Sequence, residues 1–197
     1  MRTSTFVAAS LFATSLALPA QSAEINYWAT LDGASESPPV VSPGTGSVRV
    51  TFDTDALTMT VAADFADLVA GTTVAHIHCC TLVAQEGTAG VATYPATFPG
   101  WPAGLTSGSY LQTFDMSLAS SYTASFLGTA GGTAEGAFAA LLAGLDGGRG
   151  YFNIHSSFAP AGEIRGFLYK VAEPGTLALV GLGLIAIGLL RVRWRRR

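Results

Sequence analysis

The sequence predicts an all-β domain, a β-sandwich or Greek-key barrel with one short helical insertion. Three observations predict it. Seven or eight short stretches alternate apolar and polar residues, the pattern of a strand with one buried face. Segments rich in Gly and Pro separate those stretches, and Gly is frequent at 23 of 197 residues. Charged residues make up only 12% of the chain, which suits a β module whose strands are mostly half buried.

The first strand covers residues 25–31. The loop after it, residues 32–46, holds Pro38, Pro39 and Pro43 and cannot continue a central strand. Residues 47–52 put Val48, Val50 and Phe52 inward, and after a turn at residues 53–56 the inner face of a return strand is Leu57, Met59, Val61, Ala63 and Phe65. That pair reads as a hairpin. Residues 72–78 form the next strand, with Val74, His76 and His78 on one face. The connection over residues 81–108 is long enough to be functional or packed as an Ω-loop. Residues 109–118 align Tyr110, Gln112, Phe114, Met116 and Leu118. A helix is predicted over residues 134–143, with Thr133 as N-cap and Gly144 as its stop, and a shorter helical turn over 121–127. Strands at 150–155 and 163–171 complete the domain.

Both ends read as addresses. Arg2, an apolar run over residues 6–18 and the small residues Ala20, Ser22 and Ala23 form a secretory signal over residues 1–23. At the other end an apolar stretch, residues 176–190, precedes Arg191, Arg193, Arg195, Arg196 and Arg197. It reads as a transmembrane helix with a cytoplasmic C-terminus. Residues 172–197, with Glu173, Pro174 and Gly175 at their head, resemble the bacterial PEP-CTERM sorting signal. That resemblance implies transient inner-membrane anchoring in a Gram-negative bacterium, cleavage by an exosortase, and export to the envelope or the extracellular matrix. Residues 24–171 are then the folded domain. They carry four basic residues against twelve acidic ones, a net charge of −8, which argues against nucleic acid as a partner.

The chemistry-bearing residues cluster. The chain has three histidines. Two lie in Ala75-His76-Ile77-His78-Cys79-Cys80 and the third ends Tyr151-Phe152-Asn153-Ile154-His155. On a strand, an H-x-H pair has its Cα atoms roughly 6–7 Å apart with both rings on one face, within reach of one ion. His155 from a neighbouring strand would supply a third nitrogen and leave a position open, so copper or zinc is the candidate cofactor. The alternative is three histidines satisfied by hydrogen bonds within half-buried strands. Cys79 and Cys80 read as a vicinal disulfide, as metal ligands, or as thiols that pair with another molecule. Adjacent residues point to opposite faces, which favours the disulfide over ligation. Glu163 and Arg165 share a face of the last strand and read as an exposed ion pair; the sharper reading has Arg165 steering an anion or orienting a histidine.

Ala-His-Ile-His, Tyr-Phe-Asn-Ile-His-Ser, Pro-Ala-Gly-Glu-Ile-Arg-Gly-Phe-Leu and the opening Leu31-Asp32-Gly33-Ala34-Ser35-Glu36-Ser37-Pro38-Pro39-Val40 together resemble the recurring blocks of the CHRD domain, named after chordin. The likeness spans residues 25–168, and Cys79-Cys80 stands where most members carry Gly-Pro. It implies an immunoglobulin-like Greek-key sandwich with a distant likeness to copper/zinc superoxide dismutase, and gives Asn153, Glu163 and Arg165 a supporting role in the blocks. The dismutase copper ligands would map to His76, His78 and His155, and its Gly-Arg stretch to Gly148-Arg149. No histidine is left for a bridging ligand or a zinc site, so a complete dismutase centre is excluded. The leading expectation is a non-enzymatic exported module that binds a metal, an extracellular polysaccharide or a protein. A mononuclear copper redox enzyme is the alternative, and an inert sandwich the third reading. Mass spectrometry of the secreted chain is expected to show a protein beginning near Glu24 and ending near Pro174; an intact C-terminus would make the tail a permanent anchor.

Overall fold

Alternation along the chain becomes two-faced strands. The computed structural model describes residues 24–94 and 97–171, with 183, 184 and 187. The expected signal peptide and the sorting signal, with Glu173, Pro174 and Gly175, therefore lie outside the described residues. Among the described residues no helix is long and apolar enough to cross a membrane. The strands are β1 (Glu24–Asp32), β2 (Thr45–Asp53), β3 (Thr58–Ala66), β4 (Thr72–Cys79), β5 (Gly108–Asp115), β6 (Gly150–Ser156), β7 (Ile164–Phe167) and β8 (Tyr169–Lys170). All pair antiparallel in one sheet of order β4-β6-β7-β1-β2-β3-β5, with β8 also on β1.

The sheet curls until its two ends share a core, so the result is sandwich-like although it is a single continuous sheet. Phe98, from the loop after β4, stacks at 5.3 Å on Phe114 of β5 and at 5.8 Å on Phe152 of β6. Trp101 stacks on Phe65 of β3 at 5.5 Å. Tyr27, Val48, Val50, Phe52, Met59, Val61, Ile77 and Ile154 are fully buried between these ends, each large side chain contributing about 1.5–3 kcal/mol.

Four details differ from the expected pattern. Leu57 does not sit on the inner face of β3: it is half buried, with φ 52°, in a turn whose other amides, Asp55 and Ala56, donate to the Asp53 carboxylate at 2.9 Å. Gln112 and Leu118 are exposed, because β5 is a sheet edge and ends at Asp115, before Leu118. The helical insertion holds a 3-10 turn (Ala119–Ser121) and two helices, α1 (Ala124–Thr129) and α2 (Ala134–Asp146). Thr123 and Thr133 cap them, accepting from the amides of Phe126 and Gly136.

Gly144 is not the stop of α2, which runs on to a C-cap at Gly147. The glycine is there for packing: a Cβ at 144 would collide with the sulfurs of both Cys79 and Cys80. Gly144→Ala therefore sets a helix-propensity gain of about 1 kcal/mol against an overpacking cost of about 1–3 kcal/mol. It is expected to lower the urea midpoint, and to raise it instead when Cys79 and Cys80 are both replaced by alanine.

Candidate functional site

β4 and β6 pair with His76 opposite Asn153 and His78 opposite Tyr151, while β6 and β7 set Asn153 opposite Arg165. Period-two alternation then sorts the same strands into an apolar face, with Ala75, Ile77, Phe152, Ile154 and Ile164 fully buried, and a polar face carrying the histidines. His155, two residues from Asn153, turns to that polar face as well. Ring centroids are 4.7 Å apart for His76–His78, 4.7 Å for His76–His155 and 6.1 Å for His78–His155. One nitrogen from each ring lies within 4.8 Å of the others.

Two backbone carbonyls fix the tautomers of two of these rings. His78 Nδ1 lies 2.8 Å from the Ala89 carbonyl, and His155 Nδ1 lies 2.9 Å from that of Pro160. A carbonyl only accepts, so both Nδ1 atoms carry the proton and both Nε2 atoms carry a lone pair. Each of those Nε2 atoms is buried without a hydrogen-bond partner. Burial, helped by His155 and Arg165 nearby, pushes His78 down to about 4 against the pull of the Ala89 carbonyl. Burial also lowers His155, with the Pro160 carbonyl opposing. Neutral rings oriented through their second nitrogen are the usual form of imidazole ligands.

The polar face is covered, which makes it a second, polar interior. The Tyr151 ring stacks on His78 at 4.7 Å, and Arg165 lies 4.7 Å from the Tyr151 centroid on the same ring system. Arg165 is 4% exposed, donates to the carbonyls of Ser35 and Gly87, and faces the Glu36 carboxylate at 3.8 Å. It does not form the expected exposed pair with Glu163. That glutamate is also fully buried, and it gathers Ser42, the Val69 amide and Ser156 onto the start of β7. Two buried carboxylates thus fasten the loops around the site. Asn153 lies between His76 and Arg165, its amide reaching toward Gly162, where φ is +131° and a Cβ would come within 2.6 Å of both Asn153 and Glu36.

Cys79 and Cys80 are joined as a vicinal disulfide at the end of β4. Arg149 lies beside that disulfide. Glu36, Tyr151 and the two carbonyls were not singled out from the sequence. For Tyr151 a signal existed, since the alternation that aligns Asn153 with His155 includes it.

Such a cluster offers three neutral nitrogen donors and no anionic one. Three bonds of about 2.0–2.1 Å to one ion hold the donors roughly 3.3–4 Å apart, so the rings need close only slightly. Imidazole donors suit copper and zinc. The fold and the cluster define an antiparallel β module with a buried three-histidine face. The CHRD domain family matches residues 27–168, nearly the whole described domain, and the chain belongs to that family. No curated protein and no solved structure matches it.

Glu36 supplies a pH handle on this interior. Burial pushes its carboxyl up to about 7 from 4.5, against the Arg165 charge and the Ser37 amide. The folded state then holds a proton that the unfolded chain has released, so this group's contribution to stability falls as pH rises between those two values. Glu36→Gln is expected to gain stability relative to wild type across that window, seen by urea unfolding at about pH 5 and about pH 8.

Proposed function

We propose that the chain is an exported, non-enzymatic CHRD module of the bacterial envelope or matrix that holds one copper or zinc ion through His76, His78 and His155. The observation that carries this reading is the pair of Nε2 lone pairs on His78 and His155, buried, unpartnered and grouped with a nitrogen of His76. A desolvated acceptor with no donor costs about 1–3 kcal/mol, and two side by side are relieved by a single cation. The ion would supply Lewis acidity or redox capacity; the chain supplies oriented neutral rings, the Tyr151 stack and a covered surround.

The remainder of the reading rests on sequence. The tail of residues 172–197 is taken as a PEP-CTERM signal, cut by an exosortase-type enzyme after transient inner-membrane anchoring. Extracellular polysaccharide or protein is the expected partner. The curled sheet is read as kin to immunoglobulin-like and dismutase-like Greek-key sandwiches.

A second reading, a copper-dependent redox enzyme, draws on the same triad, because three nitrogens leave coordination positions open. Arg165 does not serve it as an anion guide, being wrapped by Ser35, Gly87, Glu36 and Tyr151.

Metal analysis of the purified full chain is the test. Wild type is expected to hold about one copper or zinc ion per chain, and His76→Ala/His78→Ala to lose it. Retention by the double variant, or a metal-free wild type that takes up neither ion, overturns the proposal. Superoxide turnover by the copper-loaded wild type would select the redox reading.

A further inference from the structure

A separate cavity of about 370 Å³, lined by none of the histidines, opens around the Cys79–Cys80 disulfide. Phe126 and Thr129 of α1, Ala130 after it, Ala140 and Ala143 of α2, and Arg149 complete its lining. The disulfide is the one bond there that a nucleophile can exchange. Every α2 residue facing it is small, and Gly144 carries no Cβ where one would strike both sulfurs. Cys79 is 5% exposed and packs in the apolar core, whereas Cys80 is half buried and Thr129 and Ala143 at the rim are exposed. Cys80 is therefore the more accessible residue of the pair, and the one an incoming thiol reaches first. Arg149 belongs to neither of the two ion pairs among the described residues, Arg165–Glu36 and Lys170–Asp146. In a domain of net charge −8, a cation left without a carboxylate beside an exchangeable bond selects for an anion.

We infer that this cavity is a thiol-exchange site for small thiols that carry an anionic group. The thiolate sulfur of the ligand bonds to Cys80 Sγ, and the Cys79–Cys80 bond breaks with its electron pair leaving on Cys79 Sγ, which takes a proton from solvent. Arg149 holds the ligand's anionic group meanwhile. A second molecule of thiol then displaces Cys80 from the mixed disulfide. Two thiols leave as one disulfide, and the cysteine pair has gained two electrons and two protons. The reductant is the thiol itself.

The test uses the purified, oxidised full chain and three probes at equal thiolate concentration: mercaptoethanesulfonate (anionic), mercaptoethanol (neutral) and cysteamine (cationic). Acid quenching, thiol alkylation and mass spectrometry read the adduct and the reduced pair. The anionic probe is expected to react about tenfold faster than the cationic one, to leave its adduct on Cys80, and to lose that lead in high salt. Arg149→Gln should erase the preference, and Arg149→Lys should retain most of it. Equal rates for the three probes, a ratio unmoved by salt, a preference surviving Arg149→Gln, or a disulfide that reacts only after denaturation would each overturn the inference. The salt series needs wild type alone, so a variant that fails to fold does not shield it.

Discussion

The register of β4 against β6 is the constraint on which this molecule depends. With His76 opposite Asn153 and His78 opposite Tyr151, three imidazoles share one face while Ile77, Phe152 and Ile154 share the other. Side chains alternate with a period of two, so a slip of one residue would drive rings into the aromatic core and turn the isoleucines onto the polar interior. The stacking of Phe98 on Phe152 rewards only the native register. Hydrophobic packing on one side of the strands thereby positions polar chemistry on the other.

That polar side is an interior in its own right, and an unusual one for so small a domain. Buried charges are tolerated only when well paired and hydrogen-bonded. Arg165 meets this demand with two carbonyls, the Glu36 carboxyl group and two aromatic rings, and Glu163 meets it with three donors. The Nε2 atoms of His78 and His155 do not meet it within the chain. Burial without a partner sets these two nitrogens apart from those of histidines hydrogen-bonded through both ring atoms, since the Ala89 and Pro160 carbonyls already engage the other nitrogen of each ring.

The strand pattern was legible because alternation and turn residues are local signals. Val48, Val50 and Phe52 faced inward as their spacing required, and the H-x-H pair announced a shared face. The convergence of His155 was an inference from the block it sits in, and the register gives it physical form. What stayed hidden was non-local. Nothing near Arg165 in the chain shows that Glu36, 129 positions away, would be its partner, so an exposed pair with Glu163 was the natural reading. Gly144 looked like a helix stop because glycine usually ends helices; its role is set by two sulfurs 64 and 65 positions earlier. The carbonyls of Ala89 and Pro160 carry no side-chain signature at all.

The connection after β4 does two things at once. It runs along the strand border that β6 leaves open, taking hydrogen bonds between Cys79 and Gly90, Ala92 and Ile77, and Phe98 and Ala75, and it delivers the Ala89 carbonyl to His78. Peeling this segment away would therefore bare a row of amides able to template pairing with another chain, and in the same movement free the His78 ring to turn. Release of the His78 ring and the onset of self-association are in this way a single structural event.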